Sequence, residues 1–282
     1  MQPRTPDPWS EDLLWQARRG MALGPVYCAC PGRYHWLYGA MRASGVVASL
    51  KSEETRLGSL LTPRLSGRSR IMIGGSADPG LFCAVGRISG SPAADITIVD
   101  RCAAPLALIR EFAQTRGLRC RTLQSDLQAL DGHEQWDLVF LHYTLNFVEP
   151  RLRGQFFETL AATLAPGGVL VCAAMTGEPI TRDQQSDLAT AFVARARQAL
   201  ARTALADEAE TAEFGQLLEV YSADTTAMRL IWPAPEEVRA LIRDAGLKVL
   251  AEDSITRDWS LFGRSESGGR IDTSSIIIAA RG

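Results

Sequence analysis

Lysine is nearly missing from this chain. Lys51 and Lys248 are the only lysines among 30 basic residues, and the rest are arginine. Histidine is scarce too, with three copies. No apolar run approaches the roughly 18 residues that would span a bilayer, so an interaction with membrane is not expected. Met1 to Ser10 holds three prolines and no apolar stretch, which excludes the pattern of a secretory signal there. The formal net charge of −2 offers no general attraction to nucleic acid or to anionic lipid. The six cysteines, at 28, 30, 83, 102, 120 and 172, are scattered. A chain of 282 residues can build its own core, so no disulfide framework is needed. The cysteines read as reduced thiols, mostly buried, in a cytoplasmic protein. No repeat of 20–50 residues is visible, which argues against a solenoid or propeller.

What is present has a clear order. The first 60 residues read as helix and loop. Trp9, Leu13, Leu14 and Trp15 suggest an amphipathic helix with Ser10 as its N-cap. Tyr27, Tyr34, His35, Trp36 and Tyr38 crowd into twelve residues. Thr62 to Arg70 is polar, basic and broken by proline and glycine, and reads as a linker or exposed edge. From Arg70 onward short apolar runs alternate with helical stretches. The runs are Ile71–Ile73, Ile96–Val99, a weaker Arg119–Leu123, Leu138–Leu141, Val169–Ala173, Lys248–Ile255 and Ser275–Ala279. Helices are expected at Pro105–Thr115 and at Arg151–Leu164. In the second, Leu152, Phe156, Leu160 and Leu164 share one face. Pro235-Glu236-Glu237 opens another, which ends at Gly246. Residues 181–230 interrupt the alternation and read as helix, with Leu188, Phe192, Ala196 and Ala199 on the buried side. Short buried strands joined by helical crossovers make a doubly wound α/β domain.

In such a sheet, ligands bind at the carboxyl ends of the strands beside the switch point. Gly74-Gly75-Ser76-Ala77-Asp78-Pro79-Gly80 follows the first run, and its small residues permit close backbone approach. Asp100 ends the second run, where an acid can accept ribose hydroxyls or simply cap the next helix. Ser125-Asp126-Leu127 follows the third, a place for an adenine contact or for a solvated loop acid. Leu141, His142 and Tyr143 end the fourth. Asn146 either orients a substrate or caps a helix, with the cap preferred. Cys28-Ala29-Cys30 with His35 is not a standard zinc spacing, and the sequence offers no evident fourth ligand, so no metal is expected. No run of acids suggests a magnesium-dependent catechol-type site. A G-x-G-x-x-G dinucleotide fingerprint is lacking as well.

Together these segments resemble the class I S-adenosylmethionine (SAM)-dependent methyltransferases, over roughly residues 60–282. The strongest parts are D-L-V-x-x-x-x-x-L at 137–145, L-x-P-G-G-x-L-x at 164–171, and WPAPEEVRALIRDAGLKVLAE at 232–252. The resemblance implies a seven-stranded Rossmann-like sheet with its final strand antiparallel. It implies a helical cap over 1–61, a SAM-binding domain over 62–282, and a helical lid at about 181–230. Carried over, SAM would be held by Gly74, Ser76, Asp78, Asp100, Asp126, Leu127 and Leu141. His142, Tyr143, Tyr27 and Tyr34 are the candidate catalytic groups. The loop departs from the family pattern: Met72 stands where an acid is usual, and Ser76 and Asp78 replace glycines. Asp78 either binds the SAM ammonium in place of that acid or caps a helix.

The implied activity is methyl transfer to a small molecule in biosynthesis. The alternative is a SAM-consuming cyclisation that releases methylthioadenosine and forms azetidine-2-carboxylate. A SAM-binding subunit without turnover is a third reading. No nucleic-acid partner is expected, and a homodimer stays open.

Overall fold

The computed structural model describes residues 7–30, 34–47, 50–65, 70–90, 94–177, 181–203, 214–222, 233–257 and 272–282. Three helices come first: α1 (Leu13–Tyr27), α2 (Tyr34–Ala43) and α3 (Lys51–Leu65). The alternating part follows: β1 (Arg70–Gly74), α4 (Gly80–Ser89), β2 (Asp95–Asp100), α5 (Ala103–Thr115), β3 (Arg121–Gln124), β4 (Trp136–His142), α6 (Arg153–Thr163) and β5 (Leu164–Thr176). Then come α7 (Arg182–Ala201), α8 (214–222), α9 (Pro235–Asp244), β6 (Leu247–Arg257) and β7 (Asp272–Arg281). Short 3₁₀ turns sit at Leu127–Ala129, Thr144–Phe147 and Pro150–Leu152.

The seven strands form one sheet in the order β3-β2-β1-β4-β5-β7-β6. β1 to β5 pair in parallel, and β7 lies antiparallel between β5 and β6. The expected α/β sheet with an antiparallel final strand is therefore the observed fold. The central strands are buried on both faces, which is why they read as unbroken apolar runs. One face packs Ile71, Ile73, Ile96, Ile98 and Phe140 against α4, α5 and α3. The other packs Met72, Val139, Leu141 and Leu170 against α6 and α9. Phe156, Leu160 and Leu164 are buried there, as their shared face requires.

The amino-terminal region differs from expectation in two places. The cap of α1 is Asp12, not Ser10; the Asp12 carboxylate accepts the Trp15 N–H at 3.0 Å. The expected linker at Thr62–Arg70 is helix as far as Leu65, with Pro63 inside it. Residues 66–69 lie outside the described residues. Leu57, Leu61 and Leu65, at i, i+4 spacing, join the main core. Burying three leucines, at about 1.5–3 kcal/mol each, outweighs the roughly 3 kcal/mol cost of an interior proline. α3 thus crosses the boundary expected between residues 61 and 62.

The helices outside the sheet share a separate core. Ala17, Leu37, Ala40 and Met41 of α1 and α2 pack with Phe192, Ala196 and Leu200 of α7 and with Phe214 and Leu218 of α8. Phe192 and Ala196 are buried as expected, and the Leu188 side chain lies outside the described residues. Among the described residues, no helix is long and apolar enough to cross a membrane.

Candidate active site at the carboxyl edge of the sheet

β1 and β4 are parallel neighbours from which the chain winds outward in opposite directions, so the switch point lies between Gly74 and Leu141. Gly74 is glycine for a packing reason. A Cβ there would stand 2.7 Å from Leu141 Cδ2 and 3.1 Å from the Leu127 methyls. Gly75 takes a φ of +76° and turns the chain off the strand. Gly74→Ala is expected to cost about 1–3 kcal/mol by overpacking, because Leu141 and Leu127 are both buried. Urea unfolding checks this, and an unchanged midpoint would contradict it.

Asp100 faces that turn. Its Oδ2 accepts the Ser76 N–H at 3.0 Å and its Oδ1 accepts the Cys102 N–H at 2.7 Å. Burial pushes its carboxyl above the ordinary value, and the Cys102 N–H works against that push. Leu127 and Leu141 form a buried apolar wall beside Gly74. Asp126 is exposed and caps the 3₁₀ turn through the Gln128 N–H at 2.9 Å.

Asp78 is already engaged. Its Oδ2 lies 2.5 Å from Arg42 Nη1, and its Oδ1 accepts the Gly80 N–H at 2.8 Å. Arg42 also reaches Glu11 at 2.6 Å. That second bond meets the first residue of α4, whose N-cap is Pro79, and the Asp78 charge is spent on Arg42. Ser76 donates its hydroxyl to the Asp78 carbonyl at 2.8 Å.

At the end of β4, His142 Nε2 lies 3.1 Å from Glu53 Oε2. The Tyr143 hydroxyl donates to Glu53 Oε1 and contacts Ser274 Oγ, each at 3.2 Å. Tyr143 has a φ of +61°, the sole positive φ outside glycine among the described residues. A tyrosine in the left-handed region carries a cost of roughly 1–2 kcal/mol, which the buried contacts of its hydroxyl offset. Burial pushes the Tyr143 phenol above its ordinary range.

Burial, with the Arg42 charge adding, pushes His142 down to about 3. The Glu53 oxygen favours an imidazolium, but desolvation of this enclosed ring is the larger effect, and the ring is neutral at pH 7. Its unfolded value is near 6.5. Between about 6.5 and 3 the unfolded chain binds a proton that the native chain refuses. His142 therefore contributes stability that is complete above pH 6.5 and is lost as the pH falls toward 3. The slope is about 1.4 kcal/mol per pH unit. Urea unfolding at pH 6.5 and 4.5 is expected to show wild type losing about 2–3 kcal/mol more than His142→Gln. Parallel losses would contradict this.

The remaining candidates are spread out. Tyr34 stacks on Tyr221 with ring centroids 5.5 Å apart and also meets Tyr38 and Phe147. Burial pushes its phenol up, and the charges of Asp78 and Asp100 reach it. Tyr27 is 47% exposed at the end of α1, a poor place for a catalytic group. Asn146 is not a cap. Its side chain donates to the Met175 carbonyl at 2.8 Å and accepts the Met175 N–H at 2.9 Å, which ties the 3₁₀ turn to β5.

Glu53 and Arg42 were not among the residues singled out from sequence. Glu53 is one of two acids in the first turn of α3, a place where solvent is the usual neighbour. The fourth ligand that the sequence does not offer is present in the fold. Cys28, Cys30 and His35 do have a fourth companion, Cys102, and the four ligand atoms lie within 4.8 Å of one another.

Residues 81–168 match the family model described as a methyltransferase domain. That segment holds Asp100, Asp126, Leu127, Leu141, His142 and Tyr143, and begins just after the divergent glycine turn. No curated protein matches the chain significantly. Solved structures do. The [4+2]-cyclase SpnF is 14% identical with a TM-score of 0.54, covering 95% of this chain and 92% of that one. A Galdieria sulphuraria protein, assigned as a sarcosine dimethylglycine methyltransferase, is 13% identical with a TM-score of 0.53, covering 82% and 85%. A protein described for conversion of a disulfide into a thioacetal in echinomycin biosynthesis is 14% identical with a TM-score of 0.50, covering 81% and 80%. At such identities the likeness is one of fold. By the matched segment and by that fold, the chain is similar to the class I SAM-dependent methyltransferases.

Proposed function

We propose that the chain binds SAM at the carboxyl ends of β1, β2 and β3 and transfers its methyl group to a small molecule. The observation that carries this reading is Asp100. It is held by two backbone N–H groups at the lip of the glycine turn, beside the switch point, with acceptor capacity left for ribose hydroxyls. The buried wall of Leu127 and Leu141 suits the flat face of an adenine, with Asp126 near its edge. Gly74, Gly75 and Ser76 would lie along the methionine portion.

Bound SAM supplies an electrophilic methyl carbon on a sulfonium. The chain's part is to orient, desolvate and accept a proton. Tyr34, Tyr38, Tyr221 and Phe147 make an aromatic rim from α2, α8 and the turn after β4. Such faces attract a cation and exclude water. Positioning in line with the sulfonium supplies much of the rate. Where the acceptor carries a proton, the His142–Glu53 pair is the group placed to take it, with Tyr143 fixing Glu53. A base with so low a value is a weak one at neutral pH, which favours acceptors that lose a proton easily. The packing of α7 and α8 on α1 and α2 supports an enclosed acceptor, hence a small molecule in biosynthesis.

One observation favours a second reading. Asp78 is paired with Arg42, so the usual grip on the SAM ammonium is altered. An amino group left freer suits attack on its own chain, with methylthioadenosine leaving. Incubation with SAM alone, followed by mass spectrometry, separates the two. We expect intact SAM, and S-adenosylhomocysteine only when an acceptor is added. Methylthioadenosine with a cyclic amino acid, made without any acceptor, would overturn methyl transfer.

A further inference from the structure

We propose that Cys28, Cys30, His35 and Cys102 form a structural Zn²⁺ site that fastens the amino-terminal helices to the β2–α5 turn.

The fold itself brings the four together. α1 packs on α5 through Leu23 against Ala107 and Leu108, and through the Arg19–Glu111 ion pair. That places the end of α1, with Cys28 and Cys30, beside the start of α5, where Cys102 stands at the N-cap position. α2 returns along α1 at close range. A Cβ on Gly24 would lie 2.7 Å from Trp36 Cβ. His35, in the first turn of α2, is thereby set against the thiols.

The distances suit one small ion. Cys28 Sγ and Cys30 Sγ lie 3.6 and 3.7 Å from His35 Nδ1. Zinc bonds of about 2.3 Å to sulfur and about 2.0–2.1 Å to nitrogen, at tetrahedral angles, put sulfur and nitrogen about 3.6 Å apart. One Nδ1 carries either one hydrogen or one lone pair, so a single hydrogen bond does not account for two sulfurs at equal range. A cation at the centre accounts for all four groups at once. Three thiolates and one imidazole are a closed donor set of the kind that holds zinc for structure. No position is left for a substrate, so this is a fastener.

Its place gives it a consequence. Cys102 donates its N–H to Asp100 at 2.7 Å, so the metal would fix the turn that aims this carboxylate. The site needs no SAM to exist, and its test is independent of the reading above.

The full chain should be purified in reducing, chelator-free buffer and its zinc measured by elemental analysis. One zinc per chain is expected. Co²⁺ substituted for zinc should show the ligand-field and sulfur charge-transfer bands of a tetrahedral thiolate site. Cys102→Ser and His35→Ala should each weaken Zn²⁺ binding by roughly a hundredfold or more, read by competition with a chromophoric chelator. His35→Cys should keep it. The Co²⁺ spectrum of the unmutated chain decides the matter if a variant fails to fold. A chain that carries no zinc and takes up none from added Zn²⁺ would overturn the proposal. So would zinc binding that Cys102→Ser and His35→Ala leave unchanged.

Discussion

Arg42→Ala should destabilise the chain by about 3–5 kcal/mol at neutral pH. Arg42 has 3% of its side chain exposed and lies between Asp78 at 6% and Glu11 at 11%. Removing it leaves the enclosed Asp78 without a counter-charge and Glu11 with only the longer contact to Arg87 at 3.7 Å, and burial of an unpaired charge is costly. That loss is a large part of the roughly 5–15 kcal/mol by which domains are stable. The damage would also reach the site, because Asp78 fixes the start of α4 through Gly80. Arg42→Ala combined with Asp78→Asn should recover part of the loss, since one stranded charge is removed. Urea unfolding measures both. A loss under about 1 kcal/mol for the single variant would mean that solvent reaches the carboxylates, contrary to their burial.

The second large effect concerns Asp100. Asp100→Ala should lower SAM affinity on the order of a hundredfold or more. Two hydrogen bonds from ribose hydroxyls to a carboxylate are worth about 1.5–3 kcal/mol each. The substitution also strands the N–H groups of Ser76 and Cys102, so some stability goes with it. Asp100→Asn keeps one acceptor oxygen and should fall between the two. Calorimetric titration of SAM into each folded variant reads the difference. Binding by Asp100→Ala within threefold of wild type would place the ribose elsewhere.

These two residues mark what the sequence makes legible. Asp100 ends a strand that is buried along its length, and a run such as Ile96–Val99 announces both the strand and the residue at its lip. The same holds for Ile71–Ile73 and Leu138–Leu141, and hence for the sheet. Arg42 carries no such mark. Its partner Asp78 is 36 residues away, and nothing local separates a buried arginine from the many exposed ones. Glu53 meets His142 across 89 residues, and looks from its neighbours like a solvated helix start. Cys102 could not be joined to Cys28, Cys30 and His35 before α1 was seen to pack on α5. The linker read at Thr62–Arg70 failed for a similar reason. Pro63 is a local signal, whereas the stripe of Leu57, Leu61 and Leu65 has its effect only when there is a sheet to cover.

The central claim is that the strand ends around Gly74 and Asp100 hold SAM. Titration of SAM into the unmutated chain by calorimetry tests it most directly, without any knowledge of the acceptor. One SAM bound per chain, saturable in the micromolar to millimolar range and displaced by S-adenosylhomocysteine, is the expected result. A folded chain that shows no saturable binding up to millimolar SAM would contradict it.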